Sequence, residues 1–215
     1  MNKSDQKEKT VSRQFWKPSN MLYPVPAVIV TCADEEGRPN AMTAAWAGTV
    51  CSDPVMVSVS IRKERFSHDI IERTGEFCLN LTTRKLARAA DFVGVRSGRD
   101  LDKFALPDAP ALTSLPKKIR EELRLTPSPS AKIKAPGIAE SPVILECRVR
   151  EILRLGSHDM FVAEVLSTDV DDRFLDENGR LDLAAADLLA YSHGEYYALG
   201  ELLGTFGFSV RKKKP

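Results

Sequence analysis

The run SIRKERFSHD, residues 60–69, sets three bases, Arg62, Lys63 and Arg65, between two hydroxyls, Ser60 and Ser67. Guanidinium and ammonium groups hold phosphate through charge-assisted hydrogen bonds. Ser67 has the type and place of a helix N-cap, and a helix start adds unpaired N–H groups and the positive end of a dipole. His68 follows directly. The run suits a phosphate anchor; it equally suits a solvated charged loop with an ordinary serine cap.

A second block, NAMTAAWAGTVCS at 40–52, crowds small residues (Ala41, Ala44, Ala45, Ala47, Gly48) around Thr43, Trp46, Thr49, Cys51 and Ser52. Small side chains in a strand let a flat ring lie against the backbone. They also suit a core strand packed closely by a helix. Side by side, a wall for a flat ring and an anchor for one terminal phosphate describe FMN. That ligand needs no GxGxxG loop, and the sequence contains none. A third block, SGRDLDKF at 97–104, offers Ser97, Gly98, Arg99 and Lys103 to a phosphate or a partner subunit, or is a polar loop capped by Asp100. His158 stands at a hairpin turn, where an imidazole can orient a substrate or simply face solvent. His193, in YSHGEYY, reads as a turn with an aromatic anchor. The three histidines support no Ser/His/Asp triad and lack metal-ligand spacing. Cys32, Cys51, Cys78 and Cys147 form no CxxC pair and read as reduced thiols, mostly buried.

These residues need elements to position them. Alternation and turn residues give strands at 23–33, 40–50, 54–61, 76–81, 143–155 and 160–170. A helix opens at Ser67 and stops at Gly75, and a second covers 83–92. From Gly94 to about Pro142 the chain is irregular, with a helix at Leu115–Leu123. It reads as a long, partly mobile excursion over the surface. Residues 1–20 read as a polar arm docking near Phe15 and Trp16; residues 21–215 form a single domain. The basic tail RKKKP carries no role. Short strands and tight turns point to a mainly β antiparallel barrel with peripheral α-helices.

The 215 residues are 43% hydrophobic and 28% charged, as in soluble globular proteins. With 31 basic and 30 acidic residues, the net charge of +1 gives no pull towards nucleic acid. No stretch reaches membrane-spanning length, and the N-terminal MNKSDQKEKT lacks the apolar core of a signal peptide. The expectation is a cytoplasmic protein with neither nucleic-acid nor membrane partner.

Together the blocks resemble the flavin reductase-like, FMN-binding split-barrel family, and its flavoredoxin-like branch most closely. The segments that carry the resemblance are NAMTAAWAGTVCSDPVMVSVSIRKERFSHDIIERTGEFCLNL, DFVGVRSGRDLDKF and LAYSHGEYYALGELLGTFGFSV. The resemblance implies a six-stranded antiparallel Greek-key split barrel and a homodimer with FMN near the subunit interface. Carried over by position, Thr43, Ala45, Trp46 and Thr49 line the isoalloxazine, with Cys51 and Ser52 near its edge. Ser60, Arg62, Lys63, Arg65, Ser67 and His68 hold the ribityl chain and phosphate; Ser97, Gly98 and Lys103 close over that end. His158 helps place a nicotinamide. The stretch 108–136 matches no motif of the family; it reads as a lid and leaves nicotinamide access open. The implied activity moves electrons from NADH or NADPH through bound flavin to free flavin or a protein acceptor. The alternatives are a flavoredoxin-type carrier or a non-catalytic FMN-binding module, each without its own NAD(P)H site. A pyridoxamine-phosphate oxidase-like enzyme fits the motifs less well.

Overall fold

The computed structural model describes residues 11–211. In chain order its strands are β1 (Val25–Pro26), β2 (Val28–Ala33), β3 (Pro39–Ala44), β4 (Ala47–Ser52), β5 (Val55–Arg62), β6 (Glu76–Leu81), β7 (Pro127–Ser128), β8 (Gly137–Ile138), β9 (Val143–Arg154), β10 (His158–Val170), β11 (Leu189–Ser192) and β12 (Glu195–Ala198). The helices are α1 (Phe66–Thr74), α2 (Ala87–Val95) and α3 (Lys117–Glu121).

Seven strands form one antiparallel sheet in the order β3-β2-β6-β9-β10-β5-β4. The expected strand 40–50 is two strands. Its first half pairs with β2 and its second half with β5, so the halves end at opposite edges of the sheet. Only Ala45 and Trp46 separate them, and the Cα atoms of Ala44 and Ala47 can be at most about 11 Å apart. The sheet must therefore curl until its edges meet at this corner, which makes it a barrel. The Ser60 N–H donates to the Trp46 carbonyl at 2.9 Å and pins the corner to β5. Counting β3 and β4 as one bent strand returns the six strands expected, in the split-barrel arrangement.

The barrel is filled by one face of each strand. Val57, Val59 and Ile61 point inward from β5, which confirms its alternation, and meet Val28, Val30, Phe77 and Phe161. β2 is buried along its whole length because its other face is covered too. There Ile29 and Ala41 meet Ala89, Ala90 and Val93 of α2, together with Leu106, Leu112, Leu123, Leu125 and Ile138. Those five residues correct the expectation of a surface excursion. Each fully buried Leu or Ile is worth about 1.5–3 kcal/mol, which ties the irregular segment to the barrel as a second core. Its helix is shorter than expected, Lys117–Glu121.

α1 corrects the expected cap. The chain leaves β5 through a turn in which the Arg65 N–H donates to the Arg62 carbonyl at 3.0 Å, and the helix starts at Phe66 with Arg65 as an N-cap that makes no side-chain bond. Ser67 is already inside the helix, 1% exposed, and accepts from Asn40 Nδ2 at 2.7 Å. Gly75 ends the helix as expected: its φ of 69° is the left-handed conformation that glycine adopts freely. The second expected helix opens as a 3-10 turn at Arg84–Leu86 and continues as α2 to Val95.

A small sheet, β1-β11-β12, stands beside the barrel. Residues 11–20 have no regular structure, and Phe15 is 100% exposed and Trp16 73%. These two rings do not dock on their own chain. The first ten residues of the expected arm, and all of RKKKP after Arg211, lie outside the described residues. No described helix is long and apolar enough to cross a membrane.

Candidate functional site

A cleft of about 410 Å³ opens at the corner between β3 and β4. The barrel contributes Thr43, Ala45, Trp46, Ser60, Arg62 and His158. Trp46 is there because the corner forces it out of the sheet, and β10 brings His158 opposite Arg62 in register. The His158 ring lies against the Trp46 indole, centroids 4.6 Å apart and planes inclined by 39°. Burial, and then the positive charge of Arg62, hold the His158 pKa below its ordinary value. The imidazole is therefore neutral at pH 7, and its Nδ1 is bonded to Ser157 Oγ at 3.0 Å.

The other lining comes from outside the barrel. Tyr23, Tyr191 and Tyr196 form a chain of rings with centroids 6.2 and 5.4 Å apart, and Asp91 of α2 joins them. Burial and the nearby Asp91 carboxylate push the Tyr196 phenol up to about 12, so it keeps its proton. Spacing in the sequence did not point to these residues, because they lie far apart along the chain. The one available signal was the aromatic density of YSHGEYY.

A smaller, partly open cavity of about 140 Å³ adjoins the cleft and shares Met42, Arg65 and Val95 with it. Ser67, Ser97, Gly98 and Lys103, all singled out from sequence, line it together with Asn40. Lys103 is 3% exposed; its Nζ donates to the carbonyls of Ala41 at 2.7 Å and Val93 at 2.9 Å. Arg65 Nη1 donates to the Gly94 carbonyl at 2.7 Å, and the Thr43 hydroxyl donates to the Ala90 carbonyl. Arg65 and Lys103 thus serve the end of α2, whose last carbonyls have no partner within the helix and carry its negative dipole end, while Thr43 meets the helix at Ala90, nearer its middle. Lysine has three N–H groups and arginine five, so Lys103 and Arg65 keep donors beyond these bonds. Thr43 does not. Burial, then the nearby Arg65, lower the Lys103 pKa to about 8. Arg62 makes no side-chain hydrogen bond or ion pair among the described residues.

Six other residues read from sequence do not reach either cavity; among them Arg99 turns to Asp69 at 3.0 Å and to the Glu64 carbonyl at 3.1 Å. Thr49 lines instead a second open depression along β4, which shares Ala45, Trp46 and Ser60 with the cleft. Cys51 Sγ donates to the Asp53 carbonyl, and Ser52 follows it at the far end of β4. Lys63 turns away to Asp159, with Nζ 3.6 Å from Oδ1. His68 is 4% exposed behind the site, its Nε2 bonded to Asp159 Oδ2 at 2.9 Å. Burial works to raise the Asp159 pKa, but bonds from Arg154 and His68 outweigh it and hold the carboxylate below its usual range. No residue of 108–136 lines either cavity, so the expected lid does not cover this cleft.

All four cysteines are free, and Cys32, Cys78 and Cys147 are buried, as expected. Burial raises the Cys32 thiol to about 12 and Cys78 to about 11. They are structural. No cluster of three potential metal ligands occurs among the described residues.

What the arrangement offers is one cleft lined by aromatic rings and polar groups in similar measure, beside a cationic, partly buried end. It would take a planar ring carrying an anionic tail. The cleft volume lies within the range of about 300–1,000 Å³ usual for small-molecule sites.

Comparison with known proteins points the same way. The structure superposes on the flavoredoxin of Desulfovibrio vulgaris (Miyazaki F) with a TM-score of 0.77 and 31% identity, covering 93% of this chain and 99% of that one. An uncharacterized protein of Archaeoglobus fulgidus is 30% identical over 82% of this chain and 88% of its own length. An NADH:riboflavin 5'-phosphate oxidoreductase of Streptomyces pristinaespiralis is 24% identical over 76% of this chain and 78% of its own. The flavin reductase like domain model matches residues 20–200, so the chain belongs to the flavin reductase-like family of split-barrel proteins.

Proposed function

We propose that the cleft holds FMN and that the protein passes electrons from NADH or NADPH through it to free flavin or a protein acceptor. The observation that carries this is the adjacency of the two cavities, which share Arg65 in their lining and set a ring-sized aromatic cleft beside an end rich in basic groups. The residues present fit the group. Trp46, Ala45 and Met42 would face the isoalloxazine, with Tyr191 and Tyr196 closing the other side. Ser60, Arg62 and the spare donors of Arg65 and Lys103 would hold the ribityl hydroxyls and phosphate. Each charge-assisted bond to the phosphate would contribute about 1.5–3 kcal/mol. When bound, the flavin supplies the redox chemistry. The chain's own part is to hold the ring, exclude water from one face and keep neutral donors, His158 and Tyr196, beside it. No residue needs to act as an essential acid or base.

The likeness to a flavoredoxin supports a second reading, an electron carrier that binds FMN but takes its electrons from another protein. Anaerobic addition of NADH and NADPH to the FMN-loaded protein separates the two. Bleaching of the flavin bands is the outcome expected of a reductase. Bands that persist with both nucleotides would leave the carrier.

The same reading includes a homodimer. Phe15, Trp16, Leu202, Leu203 and Phe206 are each at least 73% exposed, and Gly48, Thr49 and Val50 of β4 face outward. A second copy would cover such surface. Light scattering should return twice 23.8 kDa; a monomer would remove this part of the proposal. A cytoplasmic setting suits the four free thiols.

A further inference from the structure

Asp159 is fully buried at the start of β10, an expensive place for a charge unless basic partners surround it. It gathers three, each from a different element. His68 comes from α1, Arg154 from the end of β9, and Lys63 from the turn between β5 and α1. Arg154 also reaches Glu72 of α1, and the His68 ring stands edge-on to Phe161 at 5.2 Å. None of Asp159, His68, Lys63 or Arg154 lines the cleft or the smaller cavity. Their chain neighbours do: His158 precedes Asp159, and Arg62 precedes Lys63. The buried carboxylate is therefore linked to His158 by the chain itself and to Arg62 through its 3.6 Å ion pair with the half-exposed Lys63. Asp159 Oδ1 and His68 Nδ1 have no hydrogen-bond partner among the described residues: Oδ1 meets Lys63 at 3.6 Å, and Nδ1 lies 3.6 Å from Asp69 and 3.7 Å from Glu72 on its own helix.

We propose that Asp159 and His68 are positioning residues: through Lys63 and the start of β10 they fix Arg62 and His158, and so set how strongly the site prefers a phosphorylated flavin over riboflavin. This rests on the FMN reading above. A residue that only stabilised the barrel would change affinity for both flavins alike. Positioning of the basic turn changes their ratio.

The test compares Asp159→Asn, His68→Gln and Arg154→Gln with Leu79→Ala, a buried barrel residue that lines neither cavity. Arg154 is half exposed at its side chain, so its variant keeps the test open should the buried substitutions fail to fold. Melting temperature and the dissociation constants of FMN and riboflavin are measured for each. All four variants should melt lower than wild type. The riboflavin-to-FMN ratio of dissociation constants should fall about tenfold in Asp159→Asn and His68→Gln, the size of roughly one lost charge-assisted bond. It should fall less in Arg154→Gln, and stay within twofold of wild type in Leu79→Ala. A wild-type protein that prefers FMN, with variants that keep the full preference, would overturn the positioning role alone. A wild-type ratio near one would overturn the FMN reading and this inference with it.

Discussion

The cleft has two linings that differ in how they are supported. The barrel lining hangs on strands whose inner faces are packed solid: Val57, Val59 and Ile61 of β5 and Phe161 of β10 are all 3% exposed or less. Its site residues are neighbours in sequence or in register, from Thr43 to Trp46, from Ser60 to Arg65, and His158 opposite Arg62. The aromatic lining hangs on a three-stranded sheet in which β1 has two residues and β11 and β12 four each. Of their residues only Leu189 of β11 is buried, at 7% exposure. A rigid, charged lining and a lightly anchored, aromatic one teach that affinity for the anionic tail and contact with the ring are separable. The first should be set by the barrel; the second should tolerate change.

Substitutions can break that contrast. Phe161→Ala, in the barrel core, should cost about 3–5 kcal/mol of unfolding free energy, with flavin binding lost alongside. Tyr191→Ala, in the small sheet, should cost about 1 kcal/mol. Urea denaturation checks both, and equal costs would erase the distinction. Arg62→Ala should weaken FMN by about 1.5–3 kcal/mol, or tenfold to a hundredfold, and leave riboflavin unchanged in a fluorescence titration. Gly98→Ala probes the same contrast at the smaller cavity. An added Cβ would stand 2.0 Å from Asn40 Oδ1 and 2.9 Å from Phe66 Cδ1. Asn40 would have to leave Ser67, at about 1–3 kcal/mol of stability. Tyr196→Phe should change FMN and riboflavin affinity together, by about 1 kcal/mol or less.

The smallest effect is a pH dependence from Lys103. Its folded pKa, near 8, lies below the unfolded value of 10.5. Between those values the unfolded chain holds the proton and the folded one has released it, so this group makes stability rise with pH across that window. Loss of the same cation should weaken FMN a few-fold above pH 8 without touching riboflavin. Lys103→Met should flatten both trends, as thermal melts and titrations at pH 7 and 9 would reveal.

The same contrast explains what could be read from the sequence. Strand alternation in PVMVSVSI, the glycine stop at 75 and the block of small residues are local signals, and the barrel lining was legible through them. The break at Ala45–Trp46 was not, because propensity continues through both residues and only closure of the sheet demands a corner. Ser67 has the right type for a cap, but Asn40, 27 residues earlier, takes its hydroxyl. The burial of Leu106 to Leu125 was hidden for a related reason: an irregular segment has no period to betray a buried face. Asp91 and Tyr23 join Tyr196 only through the tertiary fold, which no spacing records.

If the cleft holds FMN, its basic, partly buried end must hold the phosphate of the flavin. Titration of the wild-type protein with FMN and with riboflavin at pH 7, followed by flavin fluorescence, tests it most directly. The prediction is saturable binding of both, with FMN at least about tenfold tighter. Equal affinities, or no binding of either, would contradict it.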